Sequence, residues 1–557
     1  MKQRLFWLAV VCLAGAVSLG GQTAGVDLVL KNGNIYTVDP RLGRVEALAI
    51  AQGKIVAAGT NDEIQHWVGP QTKIINLKGR FVMPGFNDAH THFGSGSLGL
   101  LGFSRVNLVG TRSRSEFQER IRARVEQRPA EEWITGAGWD ESLWKENRVP
   151  TRADLDALST QHPMLFSRVD GHSVVVNSLA LAKAGIARDT VPPWGGDIVK
   201  DGSGEPTGWL KDNAIDLVER LIPTPTREER KQALERVLAE AARYGITSVQ
   251  DNSSWEDFLA LKELKEEGKL TLRVTEWLPF LEPLEELERK RQEGGTTDPW
   301  LKTGALKGVT DGSGGSRSAA MLEPFADDPN NRGLLLIELK RLKKMVLERD
   351  AAGFQIALHA IGDRANRVAL DAFAAAQKTN NRRNPRHKIE HAQFLDRDEV
   401  PRFKQLGVVA SMQPSHLLSD MRWAPKILGA EREYEGYPWN SVAKAGGLLA
   451  FGTDFPVEPL NPLRGLYASV SREFEEGGPL GGWLPEEKVS IADAIRAYTW
   501  GSAYAEFEDH RKGTLAPGKF ADLVVLTQDI TEMPGSEILR TEVLLTMVGG
   551  KIVYEKQ

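Results

Sequence analysis

The sequence predicts an α/β protein whose main domain is a (β/α)8 barrel of the TIM type. A unit recurs along the middle of the chain, in which an amphipathic helix is followed by a glycine and then by a short strand. These strands are almost continuously apolar, which is typical of parallel strands buried on both faces. Eight candidate strands are present, the number that closes such a barrel. An open doubly wound sheet is the alternative, although no glycine-rich dinucleotide motif supports it.

The repeated unit is clearest between residues 227 and 249. Arg227 to Tyr244 has apolar residues on one helical face, Gly245 supplies a left-handed cap, and the strand Ile246 to Val249 follows. The same order recurs three times, with the strands Phe354 to Leu358, Val408 to Met412 and Leu448 to Phe451. The other predicted strands are Arg80 to Phe86, Leu270 to Trp277, Leu301 to Val309 and His387 to Glu390.

Both ends of the chain differ from this middle part. They contain short strands separated by Asn-Gly and Gln-Gly turn signals, which are typical of hairpins. We expect one small β-sandwich domain built from both termini, with residues 25–82 as its first part and residues 511–557 as its second. The barrel then occupies residues 83–510.

Residues 94–221 interrupt the barrel after its first predicted strand. This segment does not repeat the order of helix, glycine and strand, and it contains five tryptophans, including Trp139 and Trp144. Loops at the carboxyl ends of barrel strands build active sites. We therefore expect a long insertion that supplies a lid or a pocket wall.

Residues 1–24 have the composition of a secretory signal peptide. Lys2 and Arg4 precede the apolar stretch Phe6 to Leu19, and small residues follow. That stretch is shorter than the roughly 20 residues of a transmembrane helix, although an uncleaved anchor is the alternative. Cleavage would export the mature protein to the periplasm or the medium, with no stable membrane insertion. It would also remove Cys12, the only cysteine, so we expect neither a disulfide nor a thiolate ligand.

The overall charge limits the classes of partner. The 557 residues carry a formal net charge of −5 and no run of basic residues. Such a chain has no electrostatic attraction for nucleic acid, so we expect a small-molecule substrate. Whether the protein forms a homo-oligomer stays open.

Residue types that bind metals follow the predicted strands. His90 and His92 are two residues apart in an extended segment, so both rings can face one metal ion. His359, His391 and Asp454 each end an apolar strand, where a barrel has its active site. Each residue alone could be a hydrogen-bonded core histidine or a helix cap, but together they predict a metal site. Its nitrogen and oxygen donors suit zinc, manganese, iron or cobalt.

Longer motifs occur in order along almost the whole mature chain. They are Met83-Pro-Gly-Phe-Asn-Asp-Ala-His-Thr-His92, Gly138-Trp-Asp-Glu-Ser-Leu-Trp144, Asp170-Gly-His-Ser-Val-Val-Val-Asn177, Lys307, Asp311-Gly-Ser-Gly-Gly-Ser-Arg317, His359-Ala-Ile-Gly-Asp-Arg-Ala365, Ile389-Glu-His391, Gln413-Pro-Ser-His416, Gly452-Thr-Asp454 and Gly513-Thr-Leu-Ala-Pro-Gly-Lys-Phe-Ala-Asp-Leu523. With these motifs the sequence resembles the amidohydrolase superfamily of metal-dependent hydrolases, and within it amidohydrolase family 3, the YtcJ-like group related to N-substituted formamide deformylases. The resemblance implies a barrel flanked by a β-sandwich, in agreement with the residue pattern.

The resemblance also implies a set of metal-site residues. They are His90, His92, His359, His391 and Asp454, together with Lys307 as an N6-carboxylysine that bridges two divalent ions, with zinc as the expected metal. The residues themselves leave the role of Lys307 open. Because an unmodified ammonium is a poor ligand, an unmodified Lys307 favours one ion over two, and a surface lysine is a further alternative.

The activity that the resemblance implies is hydrolysis of a carbon–nitrogen bond in a non-peptide amide, such as an N-acyl or N-formyl amine or a cyclic amide. A divalent ion lowers the pKa of bound water toward about 7 and so provides hydroxide. Asp454 would carry the water proton to the leaving nitrogen. A peptidase or esterase on the same scaffold is the alternative, and a binding protein without activity is a third hypothesis.

Four further residues receive roles in this interpretation. By analogy with the matching family motif, His172 would donate a hydrogen bond to the substrate carbonyl, with a plain loop histidine as the alternative. Trp139, Trp144 and His416 would line the substrate pocket with apolar area and a polar handle.

Overall fold

A computed structural model describes residues 25–100 and 105–557 of the chain. The predicted signal peptide, residues 1–24, lies outside the described residues. Eight parallel strands form one sheet in chain order, which confirms the predicted barrel. They are β1 (Phe86–Thr91), β2 (Ile246–Asp251), β3 (Arg273–Pro279), β4 (Leu301–Val309), β5 (Ile356–Ala360), β6 (Lys388–His391), β7 (Val409–Met412) and β8 (Leu448–Phe451).

The units of helix, glycine and strand lie where the sequence predicts them. The helix Arg227–Arg243 begins at a capping box, in which the side chains of Thr226 and Glu229 each accept a hydrogen bond from the backbone N–H of the other residue. Gly245, with φ of 77°, then leads directly into β2. The helices before β5, β7 and β8 are Leu339–Ala351, Val400–Leu406 and Trp439–Lys444, and each is followed by a glycine of positive φ.

The remaining helices of the barrel connect its strands or cover its ends. The longer ones are Trp255–Glu266, Leu284–Gly294, Asp363–Asn380 and Pro462–Ser471, and the shorter ones are His416–Asp420, Ala424–Leu428, Ile491–Arg496 and Ser502–Ala505. Within residues 25–100 and 105–557, no helix combines the length and the apolar character needed to cross a bilayer.

One predicted barrel strand, Arg80 to Phe86, is wrong. Phe81–Pro84 belongs to the terminal β-sandwich, where it pairs with Leu523–Leu526, and β1 begins only at Phe86. Gly85 separates the two strands, and a Cβ atom at this position would lie 2.1 Å from a methyl carbon of Thr247 in β2. The apolar run therefore crosses from one sheet to another at a point where only glycine fits.

Both termini form the β-sandwich that the sequence predicts. One sheet contains, in spatial order, Lys54–Gly59, Ala47–Ala51, Leu28–Lys31 and Lys73–Asn76. The other contains Lys551–Glu555, Val543–Val548, Leu523–Leu526, Phe81–Pro84, Asn34–Tyr36 and Arg44–Val45. One hydrophobic cluster includes Leu30 and Ile50 of the first sheet with Val82 and Val525 of the second. Apolar burial thus joins the two ends of the chain.

The segment between β1 and β2 begins with the helix Phe93–Leu100 and then forms a separate six-stranded sheet. Its strands, in spatial order, are Gly196–Lys200, Pro206–Asp212, Ser173–Val176, Met164–Arg168, Ile134–Trp139 and Arg105–Asn107, and its longest helix is Arg114–Val125. Asp170 attaches this insertion to the barrel, because its carboxylate accepts hydrogen bonds from Ser313 (2.6 Å) and Ser316 (2.8 Å) in the loop after β4.

The barrel closes where β8 meets β1, the two ends of its sheet. The buried carboxylate of Asp88 accepts hydrogen bonds from the backbone N–H (2.9 Å) and the hydroxyl (2.6 Å) of Thr453. The N–H of Asp454 donates to the carbonyl of His90 at 2.8 Å. A Cβ atom on Gly452 would lie 2.6 Å from an oxygen of Asp88, so the glycine permits this approach.

Replacing Asp88 with alanine should destabilise the protein. Thr453 would lose the acceptor of two buried donors, and an unsatisfied buried donor costs about 1–3 kcal/mol. We expect the free energy of unfolding to fall by at least that amount, measured by urea unfolding. Thr453→Val removes only the hydroxyl bond and should cost less. A wild-type unfolding midpoint for Asp88→Ala would contradict this account of the closure.

Candidate metal centre

Three side chains that could hold a metal ion converge at the carboxyl ends of β1, β6 and β8. They are His90, His391 and Asp454, all buried, and one ligand atom of each lies within 4.8 Å of the others. In the part of the chain that the structure describes, no other group of three histidine, cysteine or acidic side chains comes this close. The residues come from strands far apart in sequence, so the closed barrel alone brings them together.

Both ring nitrogens of His90 contact charged side chains. Its Nδ1 lies 2.7 Å from Oε2 of Glu390, and its Nε2 lies 3.1 Å from Nζ of Lys307 and 3.4 Å from Oδ1 of Asp454. Burial and the ammonium of Lys307 lower the pKa of His90 to about 4. The ring is therefore neutral at physiological pH, which is the form that binds a metal.

Asp454 follows β8 in a left-handed conformation, with φ of 57°. Its Oδ1 lies 3.2 Å from Nε2 of His92, and its Oδ2 lies 3.4 Å from Nε2 of His416. Burial would raise the pKa of this carboxyl, but His90, His416 and His92 together hold it well below its usual range. A non-glycine residue in this region of φ is uncommon and often marks a functional site.

His391 ends β6 and also has a positive φ, of 75°. Its Nδ1 is buried and has no hydrogen-bond partner. The ring lies 4.5 Å from that of His359 and 5.8 Å from that of His416, measured between centroids. Burial, followed by the neighbouring His359, lowers its pKa well below the usual value. A second neutral imidazole thus faces the centre.

His359 and Lys307 lie at the edge of the three-residue group. His359 Nε2 is 3.2 Å from the carbonyl of Gly312 and 3.5 Å from Oδ1 of Asp311. Burial lowers the pKa of Lys307 to about 8, because Glu390 and Asp454 only partly compensate for the loss of water. Lys307 is thus a buried lysine, and the alternative of a surface lysine is wrong.

The donors present fit a divalent transition metal. Oδ1 of Asp454, Nδ1 of His391 and Nε2 of His416 are buried atoms without a hydrogen-bond partner. Buried polar atoms are almost always satisfied, so such a concentration at one point indicates a ligand. Imidazole nitrogens with a carboxylate oxygen suit zinc and its neighbours in the first transition series.

The insertion brings His172 to the same face of the barrel. The His172 ring lies 4.8 Å from that of His359, centroid to centroid. Its Nδ1 is 2.7 Å from Oδ1 of Asp212, whose backbone N–H donates to the carbonyl of His172 at 3.0 Å. Burial lowers the pKa of His172, but the carboxylates of Asp212, Asp170 and Asp311 outweigh it and raise the value overall.

The three residues predicted to line a substrate pocket have different surroundings. Trp139 and Trp144 lie in the hydrophobic core of the insertion, and their indole N–H groups donate to the carbonyl of Phe166 (2.8 Å) and the hydroxyl of Thr111 (3.2 Å). Core packing is enough to account for the presence of both tryptophans, and their contact with substrate stays a prediction. His416, in contrast, lies beside Asp454 and His391 and is part of the site.

The sequence did not allow us to predict the carboxylates that hydrogen-bond to these site residues and to the loops around them. Glu390 holds His90, and Asp212 holds His172. Asp311 accepts from the N–H groups of Ala320, Ile361 and Gly362 and so joins the loops after β4 and β5. Glu390 and Asp311 lie inside recognised motifs. Sequence spacing alone, however, does not distinguish a residue that binds the metal from one that hydrogen-bonds to a metal-binding residue.

Comparisons with known proteins agree with this geometry. The amidohydrolase family pattern matches residues 73–554. The chain is 36% identical over 540 residues to Protein LONG AFTER FAR-RED 3 of Arabidopsis thaliana, covering 95% of this chain and 91% of that protein. It is 32% identical over 534 residues to YtcJ of Bacillus subtilis, covering 94% and 98%. It is 26% identical over 545 residues to the N-substituted formamide deformylase of Arthrobacter pascens, covering 95% and 98%.

The fold has a counterpart among solved structures. An uncharacterized metal-dependent hydrolase from Pyrococcus horikoshii OT3 superimposes with a TM-score of 0.71 at 28% identity, covering 91% of this chain and 99% of that one. The family pattern, the relatives and the buried group of histidines and aspartate all agree with the motifs of the sequence. This chain belongs to the amidohydrolase family of metal-dependent hydrolases.

Proposed function

We propose that this protein hydrolyses the carbon–nitrogen bond of a non-peptide amide, with an N-formyl or N-acyl amine or a cyclic amide as substrate. The observation that carries the proposal is the carboxylate of Asp454, which is buried between His90 and His92 with Oδ1 free of hydrogen bonds. The name of the N-substituted formamide deformylase, to which the chain is similar over most of its length, supports this substrate class.

His90, His391 and Asp454 would hold the metal. His92, with Nε2 3.2 Å from Oδ1 of Asp454, and His359, with its ring 4.5 Å from that of His391, would be further ligands, although both lie outside the three-residue group. A bound zinc ion would polarise the substrate carbonyl and lower the pKa of water. Zinc is the metal of choice because it accepts this mixture of imidazole and carboxylate donors without redox chemistry.

Asp454 would move the proton of the reaction. Because its pKa lies well below the usual range, the carboxylate is ionised at neutral pH and can accept a proton from the attacking water. The water oxygen forms the new bond to the carbonyl carbon, and the carbon–nitrogen bond then breaks. The proton passes from Asp454 to the leaving nitrogen, so that the products are an amine and a carboxylic acid, which then loses its own proton to solvent.

His172 would bind the carbonyl oxygen of the substrate. Its Nδ1–H donates to Asp212 at 2.7 Å, and the raised pKa favours the doubly protonated ring. Only in that state can Nε2 donate as well. The imidazolium would therefore stabilise negative charge that develops on the substrate oxygen.

Lys307 would carry a carboxyl group. A buried lysine with a pKa of about 8 has a substantial neutral fraction near neutral pH, and the neutral amine can add to CO2 with loss of one proton. The carbamate would place oxygen donors beside Nε2 of His90, 3.1 Å from Nζ, and so allow a second metal ion. Export to the periplasm or medium is also part of the proposal, on the composition of residues 1–24.

Asp454→Asn should lower kcat by about 100- to 10,000-fold, the range attributed to a general acid–base residue. Turnover would be measured on a panel of N-formyl amines, N-acyl amines, cyclic amides, dipeptides and esters, with metal content determined in parallel. Asp363→Asn, a buried carboxylate outside the metal group, is the matched control. Near-wild-type turnover of Asp454→Asn would contradict the assigned role, and preference for dipeptides or esters would contradict the substrate class.

Removal of metal by a chelator should abolish turnover, and zinc should restore it. Protein loaded with zinc in bicarbonate buffer should contain two ions per chain by elemental analysis, because a carbamate on Lys307 would add oxygen donors for a second ion. Lys307→Met cannot form the carbamate and should retain one ion. A single ion in the wild-type protein under these conditions would contradict carboxylation of Lys307.

His172→Gln should lower kcat by about 100- to 1,000-fold, the cost of losing one donor to a developing oxyanion. Asp212→Asn should lower it less, because the amide N–H of asparagine can donate to Nδ1 and leave a neutral ring whose Nε2–H still donates, without the positive charge. His162→Gln is the control, since this buried histidine of the insertion bonds to Ser159 and Arg128 instead. Unchanged kcat in His172→Gln would show that the histidine is only a loop residue.

A further inference from the structure

We propose that Glu390 is the positioning residue of the metal centre, which fixes the orientation and the protonated nitrogen of His90, and that Lys388 fixes Glu390 in turn. The inference rests on the metal centre of the proposed function but on no particular substrate. Its structural basis is a row of three neighbouring side chains, His90, Glu390 and Lys388, all of which are fully buried.

The contact between Glu390 and His90 decides which ring nitrogen faces the metal group. Oε2 of Glu390 lies 2.7 Å from Nδ1. A carboxylate only accepts hydrogen bonds, so Nδ1 must carry the proton and Nε2 must present its lone pair. Nε2 is the atom that lies 3.4 Å from Oδ1 of Asp454. The hydrogen bond therefore selects the ring form that can bind a metal.

Lys388 holds Glu390 from the other side. Lys388 and Glu390 are two residues apart on β6, so their side chains share one face of the strand. Nζ of Lys388 lies 3.3 Å from Oε1 of Glu390 and donates to the side-chain oxygen of Gln250 on β2 at 2.8 Å. The ammonium also lies 3.8 Å from the centre of the Trp277 ring on β3. Three strands thus fix the cation.

The opposite charges of Glu390 and Lys388 explain how both groups can be buried away from water. The ammonium of Lys388, 3.3 Å from Oε1, places a positive charge beside the buried carboxylate of Glu390 and so favours its ionised form. An isolated buried charge is costly, whereas a charge beside an opposite charge costs less. Trp277 packs against His90 in an edge-to-face arrangement, with 5.1 Å between the ring centroids, and so limits the space in which the imidazole can turn.

Glu390 is a partner of a ligand and not itself a ligand. Its carboxylate faces Nδ1, the nitrogen of His90 that points away from Asp454, and it is absent from the three-residue group within 4.8 Å. Carboxylates that hold a metal-bound histidine in this way raise its basicity and fix its orientation, and losing them typically weakens metal binding by 10- to 100-fold.

The test compares zinc affinity with the stability of the metal-free protein. Glu390→Gln keeps the size of the side chain but removes its charge, and leaves Lys388 unpaired. We expect zinc affinity, measured by competition with a chromophoric chelator, to fall by about 10- to 100-fold, and the apoprotein to unfold at a lower urea concentration. The visible absorption of the cobalt-substituted protein should also shift, because the orientation of one ligand changes.

A double variant separates positioning from stability. Glu390→Gln combined with Lys388→Met removes both charges and should restore much of the apoprotein stability, since methionine can pack on Trp277. Zinc affinity should stay weak, because His90 still lacks its carboxylate. Wild-type affinity in Glu390→Gln, or affinity that recovers together with stability in the double variant, would overturn the proposal. No substrate enters these measurements, so failure of amide hydrolysis would contradict the proposed function alone.

Discussion

The closure of the barrel between β8 and β1 is the interaction on which the metal centre depends. His90 and Asp454 lie on opposite sides of this junction and are two of the three converging side chains that could hold a metal ion. The Asp88 carboxylate binds Thr453, the residue before Asp454, and also accepts the N–H of His90 at 3.2 Å. A single buried carboxylate therefore sets the separation of the two ligands before any metal is present.

Burial then gives the converging groups their charge states. Loss of water is the largest cause that lowers the pKa of His90, His359 and His391, and neighbouring groups such as Lys307 lower it further, so three imidazoles are neutral. The same loss of water would protonate Asp454, were it not for the histidines around it. Neutral nitrogen donors and one anionic oxygen are the result, which is the combination that a divalent cation requires.

The sequence predicts the parts of this protein that depend on local pattern. Glycines after helices and apolar strands indicate the barrel, and residues at strand ends indicate the ligands. The barrel strand predicted over Arg80 to Phe86 is wrong because this one apolar run contributes residues to two different sheets. Only the proximity of Thr247 to Gly85 shows where one sheet ends and the other begins. Glu390 and Asp212 could not be assigned for a similar reason, since a hydrogen bond across 300 or 40 residues leaves no periodic signal.

The metal group and His172 are held by different parts of the fold. Barrel strands and the carboxylates behind them, such as Glu390, hold the metal group. The insertion holds His172 through Asp212, and it is attached to the barrel loop after β4 through Asp170, Ser313 and Ser316. With the role proposed for His172, changes within the insertion would alter how a carbonyl is bound while the side chains of the metal group keep their geometry. We therefore expect changes of substrate preference to arise at the junction between the insertion and the loop after β4, where no residue of the metal group has to move.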